Sequence, residues 1–126
     1  MKDEGRRMKD EAEDLRARTK RFALSIIQLS TKLPTTDEIN VMRRQLLRSA
    51  TSVAAHYREA CRARSNAEFV SKMEGGLQEL DESQLWIELL VESKLCDWPL
   101  TRELLNETNE LISIFVTIVR QVKNGQ

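Results

Sequence analysis

Apolar residues recur every third or fourth position in four long segments of the 126-residue chain, and this period constrains the fold more than any other feature. Steps of three and four place residues on one face of an α-helix. In the last segment the repeating set is Leu104, Thr108, Leu111, Phe115, Ile118 and Val122. The pattern predicts helices over about 11–32, 36–63, 65–95 and 100–123, whereas residues 1–10 mix charges without a period and are predicted to be a frayed N-terminal extension.

Signals typical of helix ends separate the four segments. Pro34 pushes the preceding residue out of the α region and ends the first helix. Residues 35–38 (Thr-Thr-Asp-Glu) and 65–68 (Ser-Asn-Ala-Glu) match capping boxes that open the second and third helices. Pro99 suits the first turn of the fourth helix. Short connections between long helices predict an all-α fold, an antiparallel up-down four-helix bundle in a single domain over residues 11–126.

The third and fourth helices carry more apolar surface than one bundle core can bury. Seven of the nine residues 111–119 are apolar, and a helix that is apolar nearly all round must be covered on more than one side. The surplus predicts self-association, while an apolar patch for a different partner is the competing interpretation. The predicted interface residues are Leu85, Trp86, Leu89, Ile114 and Val116.

Charge is balanced overall, with 20 basic and 20 acidic residues, but it is unevenly distributed. Six arginines and one glutamate lie between residues 41 and 64, whereas residues 65–111 hold eleven acids and three bases. Four arginines fall within about 80° on the outward face of the second helix, along about 27 Å. This arginine stripe consists of Arg44, Arg48, Arg58 and Arg62. Arginine forks match phosphate geometry, so the stripe predicts binding to a nucleic-acid backbone; ion pairs with a neighbouring subunit and a plain solvated face stay open as alternatives.

The residues needed for catalysis are nearly missing from the sequence. His56 is the only histidine, and carboxylate-bridged metal sites in bundles need a second Glu-x-x-His helix. No glycine-rich phosphate loop, zinc-protease motif or nucleophile elbow occurs. We therefore expect no enzyme activity, no cofactor and no metal. The longest charge-free apolar run has nine residues and no secretory leader is visible, so we expect a cytoplasmic protein that does not span a membrane.

Two runs of sequence point to a family. The first run is residues 46–55 (Leu-Leu-Arg-Ser-Ala-Thr-Ser-Val-Ala-Ala), and the second is residues 80–88 (Leu-Asp-Glu-Ser-Gln-Leu-Trp-Ile-Glu). Between them, Glu59, Arg62 and Ser65 also match the family. Over about residues 15–122 the chain resembles the small bacterial four-helix bundles called ribosomal RNA intervening-sequence proteins. It departs from them at residues 56–60, which read His-Tyr-Arg-Glu-Ala where the family usually has Asn-Ile-Ala-Glu-Gly.

The resemblance implies an assembly and a context rather than a reaction. It implies a homopentamer, and members are often encoded inside insertions in ribosomal RNA genes. The accessory proteins of diversity-generating retroelements are similar pentameric bundles that bind a reverse transcriptase and nucleic acid. We therefore expect a non-enzymatic oligomer that binds structured RNA, or a nucleic-acid-processing enzyme such as a reverse transcriptase, through the arginine stripe. The alternative is a protein-only scaffold or adaptor whose arginines make ion pairs between subunits.

Overall fold

A computed structural model describes residues 2–125, with side chains described for residues 14–125. The helices are α1 (Lys2–Lys32), α2 (Asp37–Cys61), α3 (Asn66–Glu92) and α4 (Pro99–Gly125), and residues 2–125 contain no strand. The prediction of four helices is confirmed. Helix α1 begins at Lys2 rather than near residue 11. The predicted fraying of residues 1–10 is not tested by this boundary and stays a prediction.

Capping side chains explain where α2 and α3 begin. The Thr36 hydroxyl accepts a hydrogen bond from the Ile39 backbone N–H at 3.3 Å, so Thr36, not Thr35, is the N-cap of α2. At the start of α3, the Ser65 hydroxyl accepts from the Glu68 N–H at 3.1 Å. The Glu68 carboxylate reaches back and accepts from the Arg64 N–H at 3.1 Å. Each cap satisfies backbone donors that a helix start leaves unpaired.

The connection between α1 and α2 is held by one side chain of α2. The Arg43 guanidinium donates to the carbonyl oxygens of Ser30 at 2.8 Å and Leu33 at 3.2 Å, and also to that of Pro34. These are carbonyl groups that the end of α1 leaves without helical partners. Arg43 therefore stabilises the fold and is not available to a ligand.

The turn between α3 and α4 contains backbone in the left-handed region. Lys94 has φ 67°, which a side chain with a Cβ adopts at a cost. The turn is closed by the Cys96 N–H, which donates to the Leu90 carbonyl at 3.1 Å. Cys96 itself is fully buried, and burial raises the pKa of its thiol.

Each helix contacts two neighbours: α2 and α4 both contact α1 and α3. Polar ties accompany the apolar core. Arg18 of α1 donates two hydrogen bonds of 2.7 Å to Glu107 of α4, and this partner raises the pKa of Arg18. The fully buried hydroxyls of Ser49 and Ser83 lie 2.8 Å apart between α2 and α3. The largest fully buried side chains are Phe22, Ile26, Leu29, Ile39, Leu46, Met73, Leu80, Ile87, Leu90, Leu111 and Phe115.

Two adjacent glycines let the neighbouring helices approach α3 closely. A Cβ added at Gly76 would lie 2.9 Å from Cε2 of Phe115, a buried ring of α4. A Cβ added at Gly75 would lie 2.9 Å from Nδ1 and Cε1 of His56 on α2. The apolar face of α3 thus includes a glycine where the packing has no room for a side chain.

None of the helices over residues 2–125 is long and apolar enough to cross a membrane.

Candidate nucleic-acid interface

Three members of the arginine stripe, Arg44, Arg48 and Arg58, lie on the outward face of α2, and Arg62 is the C-cap residue directly after its last residue, so α2 ends before the predicted residue 63. All four members of the stripe are exposed, whereas the opposite face of α2 is buried in the core. The buried face consists of Ile39, Met42, Leu46, Ser49, Ala50, Val53, Tyr57 and Ala60. Core packing on one side fixes the rotation of α2, and this rotation presents the three helical guanidinium groups together on the other side.

Within residues 14–125 none of the four stripe arginines has a hydrogen-bond or ion-pair partner for its guanidinium. Other basic side chains nearby do have one: Arg43 holds the end of α1, and Lys72 pairs with Glu59 at 3.3 Å. Glu59 is the only acid between residues 41 and 64, and it pairs with Lys72 rather than with a stripe arginine. The structure thus separates two uses of arginine on one helix, with Arg43 in the fold and the stripe in solvent.

Small residues occupy the middle of the stripe. Between Arg48 and Arg58 the outward face carries the exposed residues Thr51 and Ala55, with half-buried Ser52 beside them. The Thr51 hydroxyl donates to the Leu47 carbonyl at 2.7 Å, and the Ser52 hydroxyl donates to the Arg48 carbonyl at 2.7 Å. The outward face of α2 therefore has short side chains at its centre and arginines at both ends.

Helix α1 adds a basic side chain that the sequence analysis missed. Burial raises the pKa of the Tyr57 phenol, a hydrogen bond with Cys61 raises it further, and the charge of the exposed Arg16 on α1 lowers it by a smaller amount. Tyr57 lies on the buried face of α2, opposite the stripe, so Arg16 is not counted as a member of the stripe. Only the packing register of α1 on α2, which periodicity does not give, reveals this neighbour.

Helix α3 has the opposite charge. Asp81, Glu82 and Glu92 are exposed and have no ion-pair partner within residues 14–125, whereas Glu74 pairs with Lys123 at 3.0 Å. The exposed charges of α2 and α3 therefore differ in sign. This difference makes contact between α2 of one copy and α3 of another electrostatically favourable.

Of the predicted interface residues, the two leucines of α3 are the most exposed. Leu85 is 48% exposed and Leu89 is 41% exposed, one turn apart on α3. Trp86 is half-buried against the core, and its indole N–H is enclosed without an acceptor within the described chain. The leucines are therefore accessible to a partner, whereas the polar end of the Trp86 ring is not.

The two predicted interface residues of α4 are half-buried and lie on different sides of that helix. Ile114 follows Glu110 by four residues, and the Glu110 carboxylate accepts a hydrogen bond from Arg18 of α1 at 3.2 Å. Val116 follows Asn109 by seven residues, and Asn109 is hydrogen-bonded to Gln84 of α3. Because residues four or seven apart share a helix face, Ile114 lies toward α1 and Val116 toward α3. The assignment of these five residues to a subunit interface stays a prediction.

His56 lies at the contact between α2 and α3. Its side chain is 34% exposed, its Nδ1 is enclosed without a hydrogen-bond partner, and the Glu59 carboxylate is 3.8 Å from that atom. Nδ1 and Cε1 of His56 would lie 2.9 Å from a Cβ added at Gly75, so the imidazole ring packs closely against α3. Over the described residues, no group of three His, Cys, Asp or Glu side chains is placed to hold a metal ion.

Comparisons with known proteins agree with this architecture. The family described as 23S rRNA-intervening sequence protein matches residues 12–117. The chain is also similar to a protein of unknown function from the S23 ribosomal protein family of Bacteroides thetaiotaomicron VPI-5482, whose crystal structure is known at 1.70 Å resolution. The two are 31% identical with a TM-score of 0.76, covering 82% of this chain and 96% of that one. No curated protein matches the chain.

Proposed function

We propose that this chain, which belongs to the family of 23S rRNA-intervening sequence proteins, is not an enzyme. It binds the phosphate backbone of structured RNA through its arginine stripe. Arg44, Arg48, Arg58 and Arg62 contact phosphates and do not select bases. The family name links related proteins to ribosomal RNA genes, which is consistent with an RNA ligand in the cytoplasm. A reverse transcriptase bound at the same surface is the protein partner that the resemblance suggests.

One observation carries the proposal: four exposed guanidinium groups, three on one face of α2 and one at its C-cap, have no partners in the described chain. Unpaired arginines in water are free to exchange counterions for phosphates, and release of those counterions drives association. Arg43 provides the internal comparison, because it is committed to carbonyl groups of α1 and its neighbours. On α2, Arg43 therefore supports the fold, whereas the stripe arginines are free to bind a ligand.

We also propose that the protein is an antiparallel up-down bundle that assembles as a homopentamer. Contacts between α2 and α3 support the antiparallel arrangement, because Ser49 meets Ser83 while the later Glu59 meets the earlier Lys72. Exposed Leu85 and Leu89 supply apolar surface for association. Repetition around an oligomer would present several stripes to one RNA and increase affinity through multivalency.

A protein-only scaffold is the second candidate. The opposite charges of α2 and α3 favour it, because the stripe of one subunit can pair with Asp81, Glu82 and Glu92 of the next. In this arrangement the stripe arginines form ion pairs between subunits and do not bind RNA. The two candidates use the same residues, so one set of variants distinguishes them.

The test compares the native chain with a variant in which the four stripe arginines are replaced by alanine. The matched control replaces Lys20, Arg21, Lys32 and Arg120, which are exposed basic residues outside α2 without an ion pair in the described chain, and changes the net charge equally. Fluorescence anisotropy with a labelled structured RNA measures affinity at low and at physiological salt. Analytical ultracentrifugation measures the mass of each assembly.

The RNA proposal predicts that the stripe variant loses about tenfold or more in affinity while its mass is unchanged. The control variant is expected to lose much less. A stripe variant that binds RNA as the native chain does would overturn the proposal. Dissociation of the stripe variant, with no RNA binding by the native chain at low salt, would establish the scaffold instead.

A further inference from the structure

We infer that the ligand of the arginine stripe is double-stranded RNA contacted across its shallow minor groove, with the Thr51 and Ser52 hydroxyls accepting hydrogen bonds from ribose 2′-OH groups. This inference rests on the proposed function and specifies its ligand. Two features of the stripe support it: the positive charge is divided into two pairs, and the uncharged segment between them presents acceptor oxygens.

The arginines form two pairs with a gap between them. Arg44 and Arg48 are one helical turn apart, as are Arg58 and Arg62, so each pair extends over about 6 Å. The inner members, Arg48 and Arg58, are about 15 Å apart along α2. A single strand lying along α2 would meet an uncharged gap in the middle of its path. A duplex with a wide groove instead presents phosphates at both sides of that groove and leaves its centre free of them.

The outer surface of α2 fits a shallow groove better than a deep one. Helix α2 is packed between α1 and α3, so only its outward face is available to a ligand. The central positions are the small residues Thr51 and Ala55, which let the helix lie close to a groove floor. A-form RNA has a wide, shallow minor groove lined with 2′-hydroxyls, whereas its major groove is deep and narrow.

The hydroxyls at the centre are acceptors because their protons are already engaged. Thr51 donates to the Leu47 carbonyl and Ser52 donates to the Arg48 carbonyl, each at 2.7 Å. A hydroxyl has one proton and two lone pairs, so each oxygen retains acceptor capacity. The 2′-OH of RNA is a donor that the DNA sugar lacks. The same two hydroxyls therefore favour RNA over DNA of equal charge.

The experiment measures binding of the native protein and of a Thr51→Val, Ser52→Ala variant to three duplexes of one sequence. The duplexes are RNA, DNA and RNA with 2′-O-methyl groups, which have no 2′ donor. The matched control is Thr117→Val on α4, because Thr117 is exposed and donates to the Ser113 carbonyl in the same way. Circular dichroism and sedimentation check that each variant keeps its fold and mass.

The native protein is expected to bind RNA more tightly than DNA or methylated RNA, and each hydroxyl removed should weaken RNA binding by about threefold to tenfold. The double variant should bind DNA and methylated RNA as the native protein does, since those ligands offer no 2′ donor to lose. Equal losses on all three duplexes would overturn the inference, because a structural defect acts on every ligand. Equal native affinity for RNA and DNA duplexes, or tighter binding of single-stranded RNA, would also overturn it while leaving the phosphate-binding proposal intact.

Discussion

The adjacent glycines of α3 allow a matched comparison, because the same substitution meets a different neighbour at each position. Gly76→Ala places a methyl group 2.9 Å from the Phe115 ring, and Gly75→Ala places one 2.9 Å from the His56 ring. Phe115 is fully buried, and its ring centroid is 5.9 Å from that of Tyr57, so it cannot turn out into solvent as an exposed side chain can. The His56 side chain is 34% exposed and can rotate toward solvent.

The magnitudes follow from two opposing effects. Alanine in place of a helical glycine stabilises by about 1 kcal/mol at either position. Overpacking a core costs about 1–3 kcal/mol, and this cost applies in full only at Gly76. Because the helix-propensity gain cancels in the comparison, Gly76→Ala should be less stable than Gly75→Ala by about 1–3 kcal/mol. Gly75→Ala should be close to the native chain or slightly more stable.

Urea unfolding followed by circular dichroism measures both variants, at equal protein concentration because association adds to apparent stability. Thermal unfolding followed in the same way should give melting temperatures that differ by about 3–6 °C for each kcal/mol in a chain of this size. If both variants are at least as stable as the native chain, the claim that Phe115 is fixed against α3 is refuted. If both are destabilised equally, the claim that the His56 ring can move aside is refuted.

Three further predictions concern stability. Lys94→Gly should stabilise by about 0.5–1 kcal/mol in urea unfolding, because glycine adopts the left-handed backbone at that turn without a Cβ penalty; a loss of stability would contradict it. Ser83→Ala should cost about 1–2 kcal/mol, and adding Ser49→Ala should restore part of that loss, because removing both partners leaves no buried hydroxyl unpaired; additive losses would count against this account. A hydrogen bond from Arg102 lowers the pKa of Asp97 in the folded state. The ionised Asp97 therefore stabilises the fold above the ordinary carboxyl pKa of about 3.9, and this contribution is lost as the pH falls through the lower pKa of the folded state. Asp97→Asn should remove that part of the acid dependence, as measured by melting temperature between pH 2 and 7, and an unchanged acid profile would disprove the assignment.

Sequence reasoning predicted the elements of this fold because the pattern is local. The three- and four-residue spacing of buried positions in α2 and α4 is visible in the sequence, and so are the caps at Thr36 and Ser65. The core face of α4 was predicted to continue through Ile118, whereas Val119 is the buried residue and Ile118 is half-buried. A straight helix drifts from a strict seven-residue repeat, so such a set loses register toward the helix end.

The site was predictable only in part. Periodicity placed the arginine stripe opposite the core, because both faces belong to one helix. Periodicity did not show that Arg43 holds the end of α1, or that Arg16 lies beside Tyr57, because both depend on how α1 packs against α2. Ile114 and Val116 lie toward different neighbours because residues two apart on a helix are about 200° apart, which the sequence already implies.

The most direct test of the central claim is the salt dependence of RNA binding by three proteins: the native chain, Arg48→Ala in the stripe, and Arg120→Ala on α4. The logarithm of the binding constant falls with the logarithm of the salt concentration by about one unit for each phosphate contact. Arg48→Ala should therefore reduce the slope by about one for each stripe that contacts the RNA, and Arg120→Ala should leave it unchanged. A slope that is the same in all three proteins would contradict the account, because the phosphates would then be bound elsewhere.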